Sequence, residues 1–264
     1  MSFVLFADDT TVYVQHDSVD CAIQILNAEL TKLAEWFDCN KLTLNVNNTQ
    51  MLMSRKKNMN PQVDVILRNA AIQKVNKTKF LGLIVDQNLN WKDHISMVSH
   101  KISKSCGIIS RIRNTLYIKS KKLIYYLNDP YLTYCINVRS STYQTNLKTL
   151  CTAQKRSVGP KRGHQCPFAT VQQPQSRDIF INQKIWPLDK VINQQEGILA
   201  YKVINGAYLL NNFLNHGDVM HQIQLRNIGD LRIPLYATTL SQLFVRYRAI
   251  NTWNGLSGDL RSSS

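Results

Sequence analysis

Nowhere in the 264 residues does an apolar run approach the roughly 18 positions that a membrane-spanning helix needs. Met1–Phe6 is short and lacks the basic start of a secretory leader, so the chain reads as intracellular, nuclear or cytoplasmic, with no membrane partner. The six cysteines, Cys21, Cys39, Cys106, Cys135, Cys151 and Cys166, include no CxxC pair. That spacing speaks against a zinc ribbon or a disulfide framework and predicts reduced, mostly buried thiols. Cys151, His164 and Cys166 do not have the spacing of ordinary metal-ligand pairs, and no metal site is expected from them. No internal repeat is present.

The most telling scarcity is of acid between residues 92 and 162, where Asp93 and Asp129 stand alone against fourteen Lys and Arg. Residues 1–91 hold nine basic and nine acidic side chains, and the remainder holds nine and six, so the net charge of +15 is regional. A block with so little internal ion pairing favours an anionic partner, nucleic acid foremost.

Patterning divides the chain at about the same place. Phe3–Phe6 and Thr11–Val14 are apolar, β-branched and aromatic runs around Ala7-Asp8-Asp9-Thr10, which predicts a β-hairpin with Asp8 and Asp9 at its tip. From Ser18, an expected N-cap, Val19, Ile23, Leu26, Leu30, Leu33 and Phe37 recur at helical spacing opposite Gln24, Asn27, Lys32 and Glu35. That helix should pack on the hairpin's sheet. Leu42, Leu44 and Val46, then Met51 and Met53, alternate around Asn47-Asn48 and predict a second hairpin; Val63–Leu67, Ile72–Val75 and Phe80–Val85 are further strand candidates. Residues 1–90 therefore read as α+β.

Beyond Trp91, Ile95, Val98, Ile102, Ile109, Ile112 and Leu116 keep helical spacing, while Lys101, Lys104, Arg111 and Arg113 fall mainly elsewhere on the wheel. Further helices are expected over Lys121–Leu127, Pro130–Val138 and Asn146–Ser157, with Asp129-Pro130 as a break and Gly159-Pro160 as a stop. Gly163–Ser176, rich in Gln and Pro, is a candidate linker, and Ile179–Leu214 regains helical patterning. The expected organisation is 1–90, 91–162 and 163–264.

Adjacent carboxylates at a hairpin tip can hold a divalent cation, because Mg²⁺ takes oxygen ligands and is usually bound by one or two carboxylates plus substrate phosphates. By itself, Asp-Asp in a turn is more often turn chemistry. In context, Phe6-Ala7-Asp8-Asp9-Thr10 after an apolar strand resembles the catalytic motif C of reverse transcriptases, with Phe in place of the commoner Tyr. The resemblance continues in order. Trp36-Phe37 followed by Asn40-Lys41-Leu42-Thr43-Leu44-Asn45 is similar to motif D, and Lys79-Phe80-Leu81-Gly82 to motif E, the primer-grip hairpin. Leu89–Ile95 is similar to the start of the thumb; Tyr131–Tyr134, Ser141-Thr142-Tyr143, Gln154-Lys155-Arg156 and Trp253–Leu256 are similar to the family's downstream helical region. In these segments Trp36, Phe80 and Trp91 are expected to be core aromatics as well. Taken together, the chain resembles the C-terminal part of a reverse transcriptase of a non-LTR, LINE-type, jockey-like retrotransposon, from motif C onward.

The resemblance implies a partial polymerase palm, of β-hairpins and one long helix, followed by a helical thumb and a C-terminal helical region. It implies RNA-directed DNA synthesis by two-metal nucleotidyl transfer onto a primer 3′ hydroxyl. Asp8 would be the main Mg²⁺ ligand and Asp9 the supporting one, and Lys79, Phe80, Leu81 and Gly82 would place the primer end. Lys101, Lys104, Arg111, Arg113, Lys121, Lys122, Lys155 and Arg156 would track the backbones of the RNA template and DNA primer, with deoxynucleoside triphosphates as substrates of the intact enzyme.

Departures from the family pattern bear on activity. A motif A Asp, which shares the metals in the family, and the fingers are not in these residues, so the chain alone is expected to be inactive. Asn48 stands where motif D usually has Lys, Cys135 and Arg139 where the family has Gly and Trp, and Ser157–Arg162 where it has an apolar run. Two other readings compete: a non-catalytic nucleic-acid-binding remnant, motivated by the missing Asp and the basic block, and a protein-interaction domain unrelated to polymerases.

Overall fold

The computed structural model of the chain describes residues 2–54, 64–112, 125–158, 184–206, 231–235 and 239–258, with single residues 117, 120, 123 and 180. These belong to two compact units, Met1–Leu89 and Asn90–Ser264. The protein is mixed helix and sheet: the strands described lie in the first unit, and the second is built from helices.

The first unit opens on β1 (Ser2–Phe6) and β2 (Asp9–Tyr13), antiparallel with Phe6 opposite Asp9, so the connection is the two residues Ala7 and Asp8. Ala7 takes a φ of 52°, and a left-handed first residue suits the primed turns whose twist matches that of the flanking strands. Helix α1 (Val19–Cys39) follows, with Ser18 at the N-cap in extended conformation but making no side-chain cap bond. Its buried Ile23, Leu30 and Ala34 form a core with Val65 and Leu67, flanked by Val12, Leu26, Leu33, Val46, Met51, Met53 and Ile72. Each fully buried aliphatic side chain contributes about 1.5–3 kcal/mol there. Asn27, expected on the polar face, is half-buried instead: its amide donates to Asp64 O at 3.1 Å and accepts from Ile66 N at 3.0 Å, satisfying both groups of an extended backbone.

Several expectations need correction. The hairpin over 42–53 does not form. Asn45 Oδ1 accepts from Asn48 N at 3.3 Å and Thr49 Oγ1 donates to Asn45 O at 3.0 Å, winding Val46–Asn48 into a 3-10 turn. Asn side chains favour such local bonds over a strand ladder. β3 (Gln50–Leu52) pairs instead in parallel with β6 (Gln73–Val75), and β4 (Ile66–Leu67) with β5 (Ala70–Ala71). Among the described residues the strands form four two-stranded sheets, and β1–β2 reaches the α1 core through Val12. Phe80–Val85 is not one strand but a turn between β7 (Lys77–Phe80) and β8 (Leu83–Asp86), because Leu81 and Gly82 both take positive φ, 45° and 83°. Trp36 is exposed and stacks edge-on with Phe37, and Cys21 and Cys39 are exposed free thiols; Trp91 and Cys106 are buried as expected.

The second unit opens on α2 (Lys92–Ile112), whose first turn is capped by Asn90 Oδ1, 2.8 Å from Lys92 N. The expected break falls at Leu127 and Asn128, and Asp129-Pro130 begins α3 (Asp129–Thr133), since proline is tolerated in a first turn, where its missing N–H has no helical partner. The helix expected over Pro130–Val138 is interrupted by Tyr134 and Cys135, and α4 spans Ile136–Arg139. α5 (Gln144–Val158) packs on α2, α6 (Leu188–Ile204) packs on α8 (Val245–Asn254), and α7 is the single turn Thr239–Gln242. Lys121, Lys122, residue 124, Arg113, the candidate linker, Gly159-Pro160, His164 and Cys166 lie outside the described residues.

Side-chain amides and hydroxyls close the gaps between these helices. Thr142 Oγ1 donates to Asn90 O at 2.6 Å, tying the start of α5 to the start of α2. Buried Gln154 accepts from Leu188 N at 2.9 Å, supplying the partner that the first turn of α6 lacks, and donates to Trp186 O at 3.0 Å. Asn254 makes a two-way clamp on Leu231, 2.9 Å in each direction. Arg248 Nη2 donates to Asn137 O and Ser140 Oγ and lies 3.0 Å from buried Glu196, whose other oxygen accepts from Thr252 at 3.0 Å.

One knot of this unit is costly. Cys135 sits at φ 49°, a conformation that penalises residues with a Cβ by about 1–2 kcal/mol and spares glycine. Four residues on, Arg139 is 1% exposed; Nη2 donates to Leu132 O, but Nε and Nη1 find no partner, and burial pushes its pKa down to about 10. Removing a buried charge in favour of apolar volume is often stabilising. Cys135→Gly and Arg139→Met should each raise the unfolding free energy by about 1 kcal/mol, read as a higher denaturant midpoint, and Arg139→Ala should lower it by leaving a cavity.

His94, 3% exposed in the first turn of α2, is held neutral with a pKa of about 4 by burial first, then by Arg139 and Lys101. A depressed folded pKa gives stability that is present above the unfolded value of 6.5 and lost as pH falls toward 4. The raised carboxyls of Asp129 and Glu196 act in the opposite sense, so the difference between wild type and His94→Gln isolates the histidine. That difference should shrink by on the order of 2 kcal/mol between pH 7 and pH 4 in urea titrations.

Candidate nucleic-acid interface and carboxylate hairpin

In the first unit, Asp8 occupies the turn of the β1–β2 hairpin and Asp9 is the first residue of the return strand; both are exposed. Phe3, Leu5, Phe6 and Tyr13 around them are exposed too, Phe6 to 61%. Hard carboxylate oxygens fit Mg²⁺ as a donor set, with water completing the shell. Among the described residues no further His, Cys, Asp or Glu joins them in a cluster of three.

The second sequence-predicted element of this unit, Lys79 to Gly82, forms the end of β7 and its turn. Lys79 and Gly82 are exposed, and Phe80 and Leu81 are half-buried. Leu81 pays the strain of positive φ that Gly82 avoids, and together they make the sharp primed turn. The chain thus presents this hairpin's backbone at a tight tip.

In the second unit, charge placement follows from which face of α2 is buried. Ile95, Val98, Ile102 and Cys106 are buried on one side of the helix. Lys104 and Arg111, seven residues apart, lie on the opposite side, Lys101 lies on the flank about 100° round the helix from Ile102, and all three are exposed. On α5, Leu147, Leu150, Ala153, Gln154 and Ser157 are buried, which leaves Lys148, Lys155 and Arg156 exposed. Arg139 is the exception: although counted in the basic block, it is enclosed and cannot meet a phosphate.

A feature invisible in the spacing is the contact of Lys101 with Tyr131, whose ring centroid lies 4.9 Å from Nζ. Thirty residues separate the two, and only the packing of α3 against α2 brings them together. Comparison with family models, with curated proteins and with solved structures finds no match to this chain.

An exposed cationic stripe should give salt-dependent binding of any polynucleotide. Each of Lys101→Gln, Lys104→Gln and Arg111→Gln is expected to lower the slope of log K against log salt by about 0.7–0.9 in fluorescence anisotropy titrations. Arg139→Met should leave that slope unchanged because its charge is buried.

Proposed function

We propose that this chain is a fragment of an RNA-directed DNA polymerase of a non-LTR retrotransposon, comprising the motif C part of a palm and a helical, thumb-like nucleic-acid grip. The observation that carries the reading is the placement of Asp8 and Asp9 at an exposed hairpin tip, followed in order by α1, the Leu81-Gly82 hairpin and an outward-facing basic helix. Order and placement support it jointly; either alone would be ordinary turn chemistry or an ordinary solvated face.

Within that reading each residue has a defined job. Asp8 and Asp9 would hold Mg²⁺, which when bound supplies charge stabilisation for nucleotidyl transfer. Lys79–Gly82 would position the primer end through the exposed turn backbone. Lys101, Lys104, Arg111, Lys155 and Arg156 would hold template and primer by their phosphates, with Arg113, Lys121 and Lys122 as further contributors. Positioning is the larger part of such catalysis, and it needs carboxylates on both sides of the ions and groups that orient the incoming triphosphate.

A second reading, non-catalytic binding of nucleic acid, is favoured by the exposed basic side chains of α2 and α5. Primer extension separates the two. Purified alone, the chain should bind primed RNA template and incorporate no detectable nucleotide with Mg²⁺ or Mn²⁺. Mixed with a polymerase fragment that supplies the complementary palm strand and fingers, it should extend the primer, and Asp8→Asn should reduce extension at least about a hundredfold. Complemented extension indifferent to Asp8→Asn would sink the polymerase reading and leave the binder.

A further inference from the structure

We propose that Tyr131, with Lys101 over its ring and Tyr134 one turn further on, is a stacking platform for an unpaired nucleotide. The inference rests on the nucleic-acid reading above and sharpens it from polynucleotide in general to a single-stranded segment.

Three observations converge on this patch. Tyr131 lies in α3 and Tyr134 is the C-cap residue that follows it, and they expose 42% and 49% of their surface. Lys101 Nζ stands 4.9 Å from the Tyr131 ring centroid, so an aromatic face and a mobile cation sit within the reach of one nucleotide. The surrounding block carries fourteen Lys and Arg against Asp93 and Asp129, so the charge complements a phosphodiester.

The occupant follows from accessibility of the base. In a duplex the ring faces are stacked on their neighbours, and an exposed tyrosine can meet only sugar and phosphate. In a single strand the base is free to lie on the tyrosine while its phosphate meets Lys101. Such a site holds any base, because every base has a ring face, and it distinguishes strand state rather than sequence. Tyr131 then acts as the anchor, and Lys101 joins the platform to the stripe of Lys104 and Arg111 on α2.

The test uses the full chain and two fluorescent ligands, a 12-nucleotide single strand, as RNA and as DNA, carrying one 2-aminopurine, and an RNA–DNA hybrid duplex of equal length. Tyr131→Ala should weaken single-strand binding about tenfold and abolish the stacking quench of 2-aminopurine. Hybrid affinity should change less than twofold. Tyr131→Phe should restore both the affinity and the quench, since the ring and not the hydroxyl does the stacking, and it also shows that the fold tolerates substitution there. Lys101→Gln should lower the salt slope for both ligands. Equal weakening of single strand and hybrid by Tyr131→Ala, or an unchanged quench, would overturn the platform while leaving general nucleic-acid binding intact. Wild-type chain that binds neither ligand at low salt would instead overturn the nucleic-acid reading beneath it.

Discussion

The rotation of α2 about its own axis is the constraint on which the second unit turns. Ile95, Val98 and Ile102 are buried along one side, α5 packs against the helix, and Thr142 pins the two helix starts together through Asn90. With that side committed, a residue 180° away has no choice but solvent. Lys104 and Arg111 are exposed for this reason, and Lys101, on the flank of the same helix, is delivered to Tyr131 on α3. Each of these helices is short or polar enough to be marginal alone, so their order comes from packing and from the polar groups that satisfy one another's ends.

Those polar groups account for residues that first stood out for another reason. Asn90, Thr142, Gln154 and Asn254 belong to segments noted for their resemblance to reverse transcriptases, and all four make structural hydrogen bonds between elements. Gln154 in particular is buried and serves α6 from α5, a role that an apolar residue could not fill without orphaning Leu188 N. The two departures noted beside them also fall at a meaningful place. Cys135 adopts the left-handed conformation that a glycine takes without strain, and Arg139 fills a buried position with a charge lacking partners on two of its nitrogens.

Strain of this kind recurs at the hairpin tips of the first unit, where Ala7, Arg68, Asn69 and Leu81 all take positive φ. Primed turns impose it, because only they match the twist of tightly connected strands. At Ala7 it holds Asp8 out at the tip of its strand pair. The same unit leaves the apolar β1 strand exposed, so this hairpin is held chiefly by its own ladder and by Val12 in the α1 core. Structure and chemistry therefore meet differently in the two units: carboxylates on an exposed turn in one, cations displayed by a buried helix face in the other.

Much of this was legible in the residues themselves. Helical spacing marked α1 and α2 because burial of one face leaves a direct trace in periodicity, and the basic block marked a displayed charge because it lacked acids to neutralise it. The turn at Ala7-Asp8 was legible because short polar residues between apolar runs have few other uses. Other features depended on partners distant in the chain. Whether Asn47-Asn48 turned a hairpin or a 3-10 turn was decided by Asn45 and by β6, which β3 joined in parallel from more than twenty residues away. Spacing said nothing of Arg139's burial, of Trp36's exposure, or of the meeting of Lys101 with Tyr131. A sequence pattern records which face of an element is apolar, but only tertiary packing decides which other element covers it, and the fate of a charge or a ring is set by that neighbour.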